Sequence, residues 1–343
     1  TIFAFEEPEN HLSPYFLSRL LTQLEGLAKT TRVQGVLTSH APAIVGRIEP
    51  TAIRHVRRAQ GTGTSTVSRL ALPTNDADAA KFVREAVRAH PEIYFARHAI
   101  FGEGPSEEIV IPRIAEALGV PIDRSFVAIV PIGGRHIQHF WRLVDQLGIP
   151  QTTLLDVDMG RSTGDDLQFK SAAEALKASG RKLTETEAKA VELALSNGRA
   201  NVPPGAKVDT NFIMNWSKAF ESQGIFMSGP LDLDMLMLST FPVAYMTLTK
   251  GATGPQRPDD AARQEEAGRR CLGEGGFGTQ AYADLPEMKL FPWYAYLFLG
   301  SRGKPAAHLA ALARLEPEDL RKCPPVLERL VRHVASSLEA PSA

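Results

Sequence analysis

Short apolar runs alternate with amphipathic stretches between His98 and Val157. They read as a strand at His98–Phe101, a helix at Ser106–Leu118, a strand at Phe126–Ile132, a helix at Ile137–Leu147 and a strand at Thr152–Val157. One helix length separates each strand from the next, so the connections are crossovers rather than hairpins. Crossovers lay helices on the faces of a parallel sheet, and the pattern therefore predicts an α/β fold. In open sheets of this kind ligands gather beyond the carboxyl ends of the strands, and the residues that follow each strand are the first candidates for chemistry.

Those residues are acidic. Glu103 follows the first strand in FGEGPSEE, where Gly102, Gly104 and Pro105 favour a tight turn, and Glu107 lies across that turn in the first turn of a helix. LLDVDMG places Asp156 and Asp158 after an apolar strand, and residues two apart in an extended chain project to the same side. GPLDLDMLM repeats the spacing with Asp232 and Asp234 after a further strand at Gly224–Ser228. Each cluster has an ordinary explanation by itself: acids in a helix's first turn answer the helix dipole, and an Asp-x-Asp pair is commonly a turn or a cap. Three clusters at strand ends are harder to explain so, because buried carboxylates need neutralising. Hard oxygen donors suit magnesium, manganese or calcium.

A strand followed by Glu-Gly and a helix, with a later strand ending in Asp-x-Asp, resembles the Toprim fold of topoisomerases, primases and related nucleases. Glu103, Asp156 and Asp158 match its three acidic positions. The additional Glu107, the LDLD element and a long alanine- and lysine-rich helical stretch from Ser162 to about Gln223 resemble the OLD-family nucleases (overcoming lysogenisation defect). That resemblance implies a Toprim-type parallel sheet flanked by helices, acting as an endonuclease that nicks and cuts duplex DNA with two Mg2+ or Mn2+ ions. It implies that Glu103, Asp156 and Asp158 surround one ion and that Glu107, Asp232 and Asp234 serve the other. Two such ions about 4 Å apart stabilise the attacking and leaving oxygens of a phosphodiester displacement. Lys304, in LGSRGKPAAH, matches a family lysine that would stabilise charge in the transition state or protonate the leaving oxygen; an ordinary surface lysine is the alternative. The family also implies DNA processing, DNA repair or phage defence, a homodimer in the intact protein, and a helicase as an accompanying partner. Two other functions remain open: a non-catalytic, ATPase-linked DNA-binding module, and a Toprim topoisomerase or primase.

Near the start, FAFEEPENHLSP resembles the Walker B strand and loop of an ABC-type ATPase. Glu6 stands where an aspartate is usual, and Glu7 matches the residue that polarises water. VLTSHAP resembles the switch segment, with His40 as the γ-phosphate sensor. No G-x-x-x-x-G-K-[ST] loop occurs in the 343 residues, so ATP is expected to be used only by the intact protein. A first residue of Thr1 suggests the later part of something longer.

The length of 343 residues predicts several units. The expected divisions are residues 1–71 as a partial ABC-ATPase lobe, 72–97 as a helical linker, 98–161 as the first Toprim part, 162–223 as a helical insertion, 224–310 as the second Toprim part and 311–343 as C-terminal helices. A formal net charge of −1 supplies no global basic field, so DNA must be held by local patches. Arg47, Arg54, Arg57 and Arg58 form one candidate patch, although arginines also protect sheet edges. Cys271 and Cys323 show no disulfide or zinc spacing, which fits a cytoplasmic protein, and the apolar run Leu290–Leu299 is too short to cross a membrane. Trp141, Trp216 and Trp293 read as packing residues, His136 and His139 as structural histidines, Arg135 or His136 as a possible phosphate contact, and CLGEGGFGTQA as a flexible loop.

Overall fold

The computed structural model describes residues 1–30, 32–58, 63–73, 77–133, 137–164, 166–196, 217–249, 251–300 and 303–339. Arg135, His136, Trp216 and the loop NVPPGAKVD lie outside the described residues. The chain divides into two compact units, one built from residues 1–99 and 139–150 and the other from 100–138 and 151–339.

In the first unit β1 (Ile2–Glu6) pairs in parallel with β2 (Gln34–Thr38), and α1 (Pro14–Thr30) makes the crossover. Pro14 opens α1 at the position where a missing N–H costs nothing. The apolar stripe of α1 turns Leu17 and Leu21 inward against Ile44 of α2 (Pro42–Val45), with Leu12, Leu37 and Ile48 around them. A hairpin of β3 (Arg54–Arg58) and β4 (Ser65–Arg69) follows. Three arginines of the candidate patch are tied to backbone carbonyls: Arg47 to Ala43, Arg54 to Thr51 and Ile53, and Arg57 to Gly148 at 2.7 Å. These bonds favour a structural role for the three. Phe82, on α3 (Ala77–Ala89), meets Phe140 edge-on at 5.7 Å.

The second unit carries a four-stranded parallel sheet in the order β6 (Val127–Pro131), β5 (His98–Gly102), β7 (Gln151–Asp156), β8 (Ile225–Ser228). In chain order α4 (Pro105–Ala117) connects β5 to β6, and α5 (Ile137–Leu147), most of which belongs to the first unit, connects β6 to β7. Every residue of β5 and β8 is buried, the signature of strands covered on both faces, and this explains their unbroken apolar runs. Within the predicted insertion, α6 (Asp166–Ser179) and α7 (Glu185–Ser196) pack as a helical hairpin. After β8 come α8 (Leu233–Thr240), α9 (Pro242–Met246), α10 (Ala261–Leu272), α11 (Phe291–Phe298), α12 (Gly303–Leu312), α13 (Pro317–Leu320) and α14 (Pro325–Glu339). Among the described residues no helix is long and apolar enough to cross a membrane. Both cysteines are free and buried, Trp141 is fully buried, and His139 is buried.

The glycine-rich segment after α10 differs from the expected flexible loop. Gly278 N donates to Gly160 O at 2.8 Å, and a Cβ on Gly276 would sit 2.2 Å from that same oxygen. The glycines are there because two backbones touch, not because the segment must bend freely.

α14 packs on α4, β7 and β8, with Leu330 fully buried on its inner face. Leu330→Ala is expected to lower unfolding stability by about 2–5 kcal/mol, read from urea denaturation, because the densely packed site cannot collapse around the void.

Candidate active site

The carboxyl end of β5 runs into Gly102-Glu103-Gly104. A Cβ on Gly102 would lie 2.5 Å from Glu107 Cγ, so the bare glycine lets Glu107 fold back over the turn. Glu107 Oε1 accepts from Glu103 N at 3.3 Å and Oε2 from Gly104 N at 3.0 Å, satisfying N–H groups left open at the start of α4. The Glu103 carboxylate reaches the neighbouring strand, where it accepts from Asp156 N at 2.9 Å.

Asp156 closes β7 opposite Ser228 of β8. Its Oδ1 accepts from Ser228 Oγ and from Leu233 N, the latter at 3.1 Å. Asp158 does not continue the strand: its φ is 54°, in the left-handed region. The expectation that Asp156 and Asp158 project together from extended chain is therefore corrected. The backbone turns over at Asp158, Arg161 N donates to Asp158 O at 3.0 Å, and Gly164 closes so tightly that a Cβ there would overlap the same oxygen. The Asp158 carboxylate binds the Arg161 guanidinium and accepts from Gln168 Nε2 at 3.4 Å.

Asp232 is the N-cap of α8, accepting from Met235 N at 2.9 Å. Its second oxygen accepts from Tyr294 OH at 2.5 Å and lies 3.5 Å from Arg161. Asp234, in the first turn of α8, is buried. Its Oδ1 accepts from Ser106 Oγ and His308 Nε2, each at 2.8 Å, and its Oδ2 faces Lys304 Nζ at 2.6 Å. Lys304 and His308 stand one turn apart on α12, hence on one face. His308 is fully buried with Nδ1 2.6 Å from Tyr245 OH. A carboxylate only accepts, so Nε2 carries the proton toward Asp234.

Electrostatics divides these groups. Burial raises Glu103 to about 7, reinforced by Asp158, Glu107 and Asp232, and burial raises Glu107 to about 7, reinforced by Asp234. Burial likewise pushes Asp156 well above the usual carboxylate range, with Glu103 and Asp232 adding to it, and raises Asp232 with help from Asp234. Asp234 goes the other way: burial opposes its charge, but the His308 hydrogen bond and the Lys304 ammonium hold it down at about 2.

Six carboxyl groups share this edge of the sheet with two cationic partners, Arg161 and Lys304. The surplus negative charge and the all-oxygen donors fit one or more hard divalent cations. Among the described residues no three acids, histidines or cysteines are drawn together as a finished coordination shell, and the Arg161 guanidinium stands between Asp158 and Asp232. The donors fit by charge and chemistry, with one side chain in the way.

All six acids and Lys304 singled out in the sequence belong to this arrangement. Arg161, His308, Tyr294, Tyr245, Ser106 and Ser228 were not singled out. Arg161 stands three residues after Asp158 and His308 four after Lys304, spacings that put each beside its partner once a turn and a helix are assigned; the others carry no local signal.

In the first unit Glu7 has a φ of 41° and its Oε1 lies 3.3 Å from His40 Nδ1. Glu6 ends β1 opposite Thr38. Glu9, not singled out in the sequence, accepts from Ser39 Oγ at 2.6 Å and from His40 N at 3.1 Å, which fixes the switch-like segment against the loop after β1.

Residues 94–158, the stretch with Glu103, Glu107, Asp156 and Asp158, match the family model described as "Overcoming lysogenization defect protein-like, TOPRIM domain". The resemblance read from Glu-Gly and Asp-x-Asp thus holds over this segment. Among solved structures, the C-terminal region of the Xanthomonas campestris pv. campestris OLD protein is similar at 18% identity and a TM-score of 0.40, over 72% of this chain and 96% of that one. The C-terminal region of the Burkholderia pseudomallei OLD protein is similar at 18% identity and a TM-score of 0.41, over 71% of this chain and 99% of that one. No curated protein sequence matches the chain.

Glu103 and Glu107 bind protons more tightly folded, at about 7, than at the ordinary 4.5. Between those values the native state holds more protons than the unfolded chain, so unfolding free energy falls as pH rises. Without divalent cations, urea unfolding is expected to show stability from this pair fully present below pH 4.5 and lost through about pH 7, a change on the order of a few kcal/mol. Glu107→Gln should flatten the slope; a slope of opposite sign would contradict the assignment.

Proposed function

We propose that the chain is a divalent-cation-dependent endonuclease that hydrolyses phosphodiester bonds of duplex DNA, governed in the intact protein by ATP use at the N-terminal unit. The observation that carries this reading is the gathering of six carboxyl groups and Lys304 at the carboxyl edge of one parallel sheet. The Toprim match over residues 94–158 supports it.

In this reading Glu103, Asp156 and Asp158 hold one Mg2+ or Mn2+, while Glu107 and Asp232 face a second. Asp234, whose oxygens are already engaged by Ser106, His308 and Lys304, belongs to the same set and aims the ammonium of Lys304. When bound, such cations would supply Lewis-acid stabilisation of charge on phosphate oxygens. Lys304 stays protonated, because the charges of Asp234 and Asp232 outweigh the burial that opposes it. Its ammonium can therefore meet charge developing on the phosphoryl group or donate a proton to the leaving oxygen. His308, pinned by Tyr245, fixes the Asp234 carboxylate and through it the direction of Lys304.

A topoisomerase needs a nucleophilic tyrosine. Tyr294 touches the cluster, but it is fully buried, its hydroxyl is committed to Asp232, and burial next to that carboxylate pushes its ionisation far above the usual phenol range. Hydrolysis by water is better supported. For the first unit, the contact of Glu7 with His40 supports an ATPase lobe that acts only in the intact protein.

Incubated with supercoiled plasmid and Mg2+ or Mn2+, the protein is expected to yield nicked and then linear DNA. Asp156→Ala should abolish the products, and Lys304→Met should slow cutting by about 100-fold or more while cation binding persists. Cutting that is unchanged in Asp156→Ala would overturn the assignment. A phosphate-release assay should show no ATP turnover by this chain; turnover that survives Glu7→Gln would contradict the ATPase-lobe reading.

A further inference from the structure

Arg161 occupies an unusual place for a protein cation. Its guanidinium binds Asp158 Oδ1, lies 3.5 Å from Asp232 Oδ2 and reaches Tyr294 OH at 3.4 Å, joining the acid of one strand-end cluster to the cap of α8. Its backbone is pinned. Arg161 N donates to Asp158 O, and a Cβ on Gly276 would come within 2.6 Å of the Arg161 carbonyl carbon. Its side chain is not sealed in, for about a quarter of it (24%) is exposed, against 13% for Asp158 and 1% for Asp232. An anchored backbone, one buried and one part-buried acidic partner, and a side chain that is partly exposed are what displacement without unfolding of the loop requires.

Resting on the divalent-cation reading of this cluster, we propose that Arg161 is a built-in place-holder for one cation. It neutralises Asp158 and Asp232 in the empty site and is displaced when the ion binds. A guanidinium cannot leave by losing its proton in a protein, so removal must be by competition. The ion therefore has to replace a charge-assisted contact already made, and the apparent affinity is weaker than the carboxylates alone would give. The same contact keeps the acids from repelling one another apart while the site is empty.

The test is Mn2+ binding, followed by electron paramagnetic resonance of the free ion in wild type, Arg161→Gln and Arg161→Lys at one pH and ionic strength. Arg161→Gln should bind Mn2+ at least tenfold more tightly and unfold at lower temperature in its absence, and Arg161→Lys should fall between it and wild type. Wild-type binding with no tightening in Arg161→Gln overturns the place-holder alone. No binding by either protein overturns the divalent-cation reading as well. Should Arg161→Gln fail to fold, nitrogen-15 arginine spectra of wild type decide the matter. The Nε resonance assigned to Arg161 by its absence from Arg161→Lys should move on titration with Mg2+, and an unmoved resonance at saturation refutes displacement.

Discussion

Repulsion among carboxyl groups held at one edge of a parallel sheet is the constraint around which the second unit is arranged. Taking several carboxylates out of water costs several kcal/mol each unless partners replace the lost solvation. The partners are visible: backbone N–H groups of the β5–α4 turn for Glu107, Asp156 N for Glu103, Ser228 and Leu233 N for Asp156, and the first turn of α8 for Asp232. These neutral donors do not suffice, which is why Glu103, Glu107, Asp156 and Asp232 all bind their protons more tightly than usual. The fold brings up two cations, Arg161 and Lys304, and the remaining deficit is what a divalent ion would fill.

Much of this was legible in the sequence because it depends on local periodicity. Strand and helix alternation from His98 to Val157 located β5, β6, β7 and the helices between them within a residue or two, since apolar run length and helical spacing are local properties. Once the strands are placed in one parallel sheet, their carboxyl ends must share an edge, and Glu103, Asp156 and the LDLD pair follow from topology. Harder to foresee were contacts that join distant segments. His308 meets Asp234 across 74 residues and Tyr294 meets Asp232 across 62, and neither tyrosine nor histidine carries a local mark of that destination.

Two local readings failed for a backbone reason. Asp158 was expected to project beside Asp156 from extended chain, yet it takes a left-handed conformation so that the turn through Gly164 can close. The glycines around Gly276 were expected to confer freedom, yet they allow one backbone to lie against that of Gly160 and Arg161. In both cases the chain's path differed from the local reading, and around Gly276 the reason is that close approach of two backbones is decided by residues far apart in sequence. That path gives Arg161 its position and makes the charge balance of the site depend on a residue with no motif of its own.

The central claim is that these carboxyl groups are a binding site for divalent cations. Anomalous diffraction from crystals grown with Mn2+ at neutral pH tests it most directly. The account predicts at least one strong peak in direct contact with oxygens of Glu103 and Asp156, where burial and mutual repulsion now favour protons over charge. Saturating Mn2+ that leaves no peak at these carboxylates, or peaks only elsewhere on the molecule, would contradict it.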